Sequence, residues 1–128
     1  MSKPTVAILG ASQNRSKYGN KSVRAHLAQG YDVYPINPAA DQIEGLKAYK
    51  KLADIPVEKL DRISIYLSPA VGLQLLEEIA AADAKQVFFN PGAESEELLT
   101  KARELGIDPI QACSIVDVGM SPRELEEE

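Results

Sequence analysis

The residues whose types and spacing best suit chemistry form one run, Gly10-Ala11-Ser12-Gln13-Asn14-Arg15-Ser16-Lys17-Tyr18-Gly19. Gly10 and Gly19 would let the backbone approach a ligand closely. Ser12 and Ser16 supply hydroxyls, and Arg15, Lys17 and Lys21 supply positive charge. Together they suit a phosphate or diphosphate. The run differs from the Gly-x-Gly-x-x-Gly fingerprint of dinucleotide enzymes in being longer and poorer in glycine, and no Gly-Lys-Ser or Gly-Lys-Thr closes it as in a P-loop. Without a ligand the same residues make a flexible polar loop, so their position in the fold decides between the two readings.

Three shorter runs share that position. Asn37-Pro38 falls where enzymes using unphosphorylated NAD place an acid against the ribose hydroxyls. Neutral Asn37 admits a phosphorylated ribose, as in coenzyme A or NADP; Asn-Pro is also an ordinary turn. Ser68-Pro69 suits contact with adenosine or pyrophosphate. Asn90-Pro91-Gly92-Ala93, one strand further out, suits the path of a long flexible arm.

The elements that must position these loops alternate. Thr5–Leu9 is an apolar run of strand length, as expected of a strand buried on both faces. Asn20 is expected to cap a helix running to Gln29, with Val23, Leu27 and Ala28 on its buried side, Gly30 as its left-handed C-terminal residue, and free amides around Asn20–Ser22. Tyr31–Ile36 reads as a second strand, Leu46–Tyr49 as a short third, and Leu52–Lys59 as a weak helix or turn broken at Pro56. Arg62–Leu67 is a fourth strand. Pro69 suits the first turn of the next helix, where Gly72, Leu75, Leu76, Ile79 and Ala80 share a face. Gln86–Phe89 is the fifth strand. Ser95 caps a helix with Glu96 and Glu97 at its positive end, a stripe of Leu98, Leu99, Ala102 and Leu105, and Gly106 as its close. Ile107–Gln111 gives a last short strand. Ser121–Glu128 reads as a frayed tail or a short exposed helix.

Short crossovers between alternating strands and helices imply an α/β fold: a Rossmann-like, doubly wound parallel sheet in three layers. One domain over residues 1–118 is expected, with 119–128 as an acidic C-terminal tail. Ligands of such sheets bind outside the carboxyl ends of the strands, where strand order reverses. The four loops, residues 10–19, 37–41, 68–70 and 90–94, all fall at that end.

Composition narrows the partners. The 128 residues carry a net charge of −5, with nine Lys/Arg against five Asp/Glu in residues 1–60 and five against fourteen in residues 61–128. An acidic total argues against nucleic acid as a partner; the basic first half suits a local anion, or reflects solvated helix faces. No apolar run approaches the ~20 residues that cross a bilayer, and no leader is recognisable before Val6. The cytoplasm is therefore the expected compartment, without a membrane partner. Lone Cys113 excludes an internal disulfide. One His and one Cys cannot assemble a zinc site. His26 is expected to pack partly inward from its helix, and Glu77, Glu78, Glu96 and Glu97 to lie on solvated faces.

The chain resembles the small stand-alone CoA-binding proteins, whose domain is similar to the N-terminal domain of the succinyl-CoA synthetase α subunit. The resemblance runs in order through Val6–Ser12, Gly30–Pro38, Gly45–Pro56, its most specific piece, and Asp61–Tyr66. It implies a Rossmann domain that binds coenzyme A through Gly10, Ala11, Ser12, Asn37, Pro38, Ser68 and Pro69, with Lys17 or Lys47 assisting. With Arg15, Gly19, Asn90 and Gly92 from the loop reading, these are the candidate cofactor-binding residues; no catalytic or metal-binding residue is assigned. The phosphorylated histidine used by the synthetase relatives lies in another domain, so a binding module without catalysis is expected, acting alone, as a homo-oligomer or with a partner enzyme subunit. An NAD(P)-binding redox protein or sensor, and an interaction subunit with a vestigial pocket, are the alternatives. Two finer expectations follow: Cys113, after the last strand, either forms a mixed disulfide with the thiol of bound coenzyme A or packs as a small buried apolar residue, and Gly10→Val should abolish binding while leaving the domain folded.

Overall fold

The computed structural model describes residues 3–125. Five parallel strands form the central sheet: β1 (Thr5–Leu9), β2 (Asp32–Ile36), β5 (Arg62–Ile65), β6 (Gln86–Phe89) and β7 (Pro109–Gln111), in the order β2-β1-β5-β6-β7. Strand order reverses between β1 and β5, which is the switch point. A two-stranded antiparallel ribbon, β3 (Gln42–Ile43) with β4 (Leu46–Lys47), lies beside it.

Burial on both faces explains why β1 and β6 are nearly continuous in apolar residues. Ala7, Leu9, Ile63, Ile65, Val87 and Phe89 point to one side. There they meet Leu76 and Ile79 of α3 (Leu76–Ala82) and Leu98, Leu99 and Ala102 of α4 (Glu96–Glu104). Val6, Ile8 and Val33 point to the other, against Val23 of α1 (Tyr18–Ala28) and Ile43 and Ala48 of the ribbon. A third, small cluster joins Ala25 to Ile115 of α5 (Ser114–Asp117) and to Leu125. Helices thus cover both faces of a Rossmann-like α/β sheet.

Several boundaries differ from expectation. Helix α1 starts earlier, with Lys17 at its N-cap, and Asn20 is a buried residue of its first turns. Its buried side is Gly19, Asn20, Lys21, Ser22, Val23, Ala25 and His26, whereas Leu27 and Ala28 are exposed. Asn20 is held inside by Glu44 and the Ser12 carbonyl, and α5 and a 3₁₀ turn at Pro122–Leu125 pack against the same helix. That 3₁₀ turn also replaces the frayed or exposed tail: Leu125 is buried against Ala25 and Ile115; residues 126–128 lie outside the described range. The expected third strand is split. Leu46–Lys47 pairs within the ribbon, and only Tyr49 reaches the sheet, bridging to Ile36. The helix after Pro69 is two: α2 (Pro69–Gln74) and α3, joined at Leu75. Gly72 weakens the helical run there, and the Leu75 amide is shared between the Val71 and Gly72 carbonyls. Gly30 and Gly106 close α1 and α4 as expected, each with left-handed φ and paired 6→1 and 5→2 hydrogen bonds. Among the described residues no helix is long and apolar enough to cross a membrane.

Candidate functional site

A cleft of about 520 Å³ opens at the carboxyl rim of the sheet. Its lining comes from the ends of four strands: Gly10, Ala11 and Ser12 after β1, Asn37 after β2, Tyr66, Leu67 and Ser68 after β5, and Pro91, Gly92 and Ala93 after β6, with Lys17, Tyr18 and Gly19 at the start of α1. Turns far apart in sequence converge because parallel strands deliver all their carboxyl ends to one edge. Among the described lining residues Lys17 carries the only charge.

The start of α1 gives the cleft its electrostatic character. Lys17 at the N-cap offers no capping side-chain hydrogen bond, and the first turn holds no acid. The Asn20 and Lys21 amides both donate to the Lys17 carbonyl. The free donors therefore sit at Tyr18 and Gly19, earlier than the expected Asn20–Ser22, and both residues line the cleft. Helix α4 contrasts with this end: the Ser95 hydroxyl caps the Leu98 amide at 3.1 Å, and Glu96 and Glu97 compensate the dipole. The α1 terminus is left open toward the cleft.

The loops are tied to one another by side chains. Asn37 donates from Nδ2 to the Ala11 carbonyl at 2.8 Å, and its Oδ1 accepts from the Ala39 and Ala40 amides. It is a strut between the first two loops as well as a neutral wall. Gly10 is required by packing: with φ of 86°, a Cβ would stand 2.7 Å from the Tyr66 carbonyl oxygen. Gly19 is equally confined, its hydrogen facing the Gly10 carbonyl. Gly10→Val therefore cannot leave the domain undisturbed, because the added bulk meets the backbone at the end of β5 before it meets any ligand.

Of the candidate residues, Gly10, Ala11, Ser12, Lys17, Gly19, Asn37, Ser68 and Gly92 line the cleft; Arg15, Pro38, Lys47, Pro69 and Asn90 do not. Arg15 pairs with Glu44 at 3.0 Å. Lys47 lies over the Tyr49 ring, 5.2 Å from its centroid, in a separate hollow with Asp41, Lys50 and Asp54. Lys21 is nearly buried, its ammonium over the Tyr18 ring. Pro69 opens α2. Asn90 is buried and holds the fold together: Nδ2 donates to Ser64 Oγ and to the Ile65 carbonyl, both at 2.9 Å, and Oδ1 accepts from the Ser114 amide at 2.8 Å. Cys113 also lies off the lining, half-buried beside the Ala25 cluster.

Tyr18, Pro91 and Ala93 join the site from loops already named, and Tyr66 and Leu67 join it from outside them. β5 ends at Ile65, so Tyr66 and Leu67 leave the strand at the rim. The Tyr66 hydroxyl lies 3.1 Å from Ser114 Oγ, and burial pushes it above the ordinary tyrosine range. A larger hollow of about 820 Å³ separates α3 from α4, away from the rim. Glu77, Glu96, Glu97 and Glu104 line it against Lys101, a net negative charge that repels a diphosphate.

A parallel sheet of this order, wound by helices on both faces and cleft beside its switch point, defines a Rossmann-like α/β class of fold. The chain belongs to the CoA binding domain family, whose model matches residues 4–119. It is 31% identical over 105 residues to an acetate–CoA ligase (ADP-forming) from Methanocaldococcus jannaschii, a match covering 79% of this chain and 15% of that protein. The chain thus spans a small fraction of the curated ligases it matches. Its structure is similar to that of a conserved hypothetical protein from Pyrococcus furiosus (37% identity, TM-score 0.80, 91% of this chain and 99% of that one). It is also similar to part of a dinucleotide-forming acetyl-coenzyme A synthetase 1 from Ca. Korarchaeum cryptofilum (30% identity, TM-score 0.71, 84% of this chain and 26% of that one).

Proposed function

We propose that the chain binds coenzyme A or an acyl-CoA in the rim cleft, as a binding module without chemistry of its own. The observation that carries this reading is the open N-terminus of α1, uncapped and free of acids, facing a cleft with one cation at its edge. Backbone amides at a helix start are a ready anion site. The Tyr18 and Gly19 amides and the Lys17 ammonium would hold the diphosphate, with Ser12 and Ser68 offering hydroxyls. Asn37 leaves a phosphorylated ribose unopposed, and Pro91-Gly92-Ala93 would flank the pantetheine arm. Bound coenzyme A would supply the thiol that carries an acyl group as a thioester.

Thermal melting with coenzyme A, NAD and NADP tests the assignment. Ligand at ~100 times its Kd should add about 2.7 kcal/mol to stability. A rise with coenzyme A alone is expected. A rise with NAD or NADP alone would reassign the site to a dinucleotide; silence with all three, together with stable hetero-complexes on pull-down, would mark an interaction subunit.

A further inference from the structure

Glu44 lies outside the cleft, yet the contacts that shape the first loop pass through it. With Gly45 it turns β3 into β4, and both have positive φ, 52° and 79°. Such a two-residue turn favours Asn-Gly or Asp-Gly, so a glutamate is a disfavoured choice for the backbone. Its side chain is only 18% exposed and is used inward. Oε1 accepts from Arg15 Nη1 at 3.0 Å, and Oε2 accepts from Asn20 Nδ2 at 2.9 Å.

Asn20 is fully buried, and the same Nδ2 donates to the Ser12 carbonyl at 2.9 Å. Its Oδ1 accepts from Arg24 Nε at 2.7 Å, and Arg24 Nη2 donates to the Arg15 carbonyl at 2.8 Å. The contacts close a ring from Glu44 through Asn20, Arg24 and Arg15 back to Glu44, with Ser12 suspended from it. Gln13 adds a second tie to the ribbon, donating to the Gln42 carbonyl at 2.8 Å.

We infer that Glu44 is a positioning residue, whose carboxylate holds residues 12–17 in the shape that presents Ser12 and Lys17 to the ligand, with Arg15 as its handle and not a phosphate contact. As a statement about binding, this rests on the proposed coenzyme A reading. The sign of the effect separates it from simple electrostatics. A carboxylate near an anion site repels the anion, so charge alone predicts tighter binding when Glu44 is neutralised; positioning predicts weaker binding.

The test uses the full chain, the variants Glu44→Asn and Glu44→Gln, and coenzyme A as probe. Asparagine tolerates left-handed φ but is too short to reach Arg15 and Asn20, so Glu44→Asn should melt no lower than wild type. Amide hydrogen exchange at Asn14, Ser16 and Lys17, each bonded within the loop, should nevertheless quicken about tenfold. The Kd for coenzyme A should rise about tenfold, and Glu44→Gln, which keeps the reach and one of the two acceptor oxygens, should restore part of both. Unchanged exchange in Glu44→Asn, or coenzyme A held as tightly as by wild type or more so, overturns the inference. The exchange measurement needs no ligand. A wild-type chain that failed to bind coenzyme A would therefore sink the cofactor reading, while exchange still decided the role of Glu44.

Discussion

Gly10 lies so close beneath Tyr66 that the smallest side chain at position 10 would touch the Tyr66 carbonyl, 2.7 Å from its Cβ. The turn after β1 and the end of β5 are thus packed backbone to backbone at the switch point. Gly92 also has positive φ, 93°, but nothing stands within 4 Å of its missing Cβ. Gly92→Ala should therefore cost only the left-handed strain, about 1–2 kcal/mol. Gly10→Ala should cost clearly more, because strain and clash add. Urea midpoints of the two variants check this; equal midpoints would mean that the turn yields freely.

Among the described residues Lys17 makes no side-chain hydrogen bond or ion pair; its amide and carbonyl are bonded in the turn and it is exposed. Lys17→Ala should leave the melting temperature unchanged and weaken coenzyme A binding about tenfold, roughly 1.4 kcal/mol. The salt dependence of binding should become shallower with one cation removed. Titrations at two ionic strengths would read both effects.

His26 is fully buried, and burial lowers its pKa from 6.5 to about 4. Its Nδ1 donates to the Ser22 carbonyl at 2.8 Å, leaving Nε2 toward Arg62 Nη1 at 3.4 Å. The unfolded chain takes up a proton near pH 6.5 and the folded chain only near pH 4. Stability is full above pH 6.5 and falls as the pH drops through that window, by on the order of 3 kcal/mol from this group. Denaturation at pH 7 and pH 4 in wild type and His26→Gln should show the shallower loss in the variant. Parallel pH profiles would contradict the assignment.

Asn90 sits among the cleft-forming loops yet ties the end of β6 to β5 and to the first residue of α5. Asn90→Ala leaves the buried Ser114 amide without its acceptor and should lower stability by about 2–4 kcal/mol. Coenzyme A affinity of the folded protein should change little. A large loss of affinity at unchanged stability would return Asn90 to the binding site.

The legible and illegible parts of this chain differ for physical reasons. Thr5–Leu9 and Gln86–Phe89 could be read to the residue because doubly buried strands announce themselves as unbroken apolar runs. Alternation then placed the loops on one rim, where the cleft is. The inner face of α1 is only partly legible: His26 is expected to pack inward, but Asn20, Lys21 and Ser22 look like a solvent side until the Glu44 turn, α5 and the last 3₁₀ turn pack against the helix. Those covering pieces, like Gln42–Ile43, are too short to show any periodicity. Residue type also could not reveal partners. Arg15 and Asn90 have the chemistry of a site, and only the folded arrangement shows that Glu44 and Ser114 had already claimed them.

The two sides of the sheet are sealed by different materials. On the side under α3 and α4 the buried residues of the cluster are all apolar. The other carries Arg62, bonded to Asp117 at 2.6 Å, and Ser64, whose hydroxyl meets that of Ser114 at the same distance. Water can replace hydroxyl and carboxylate partners far more cheaply than it can replace hydrocarbon. An order of failure is expected to follow: the closing segment from Cys113 to Leu125, held by these polar ties and the small Ala25–Ile115–Leu125 cluster, should open before the sheet and its oily side.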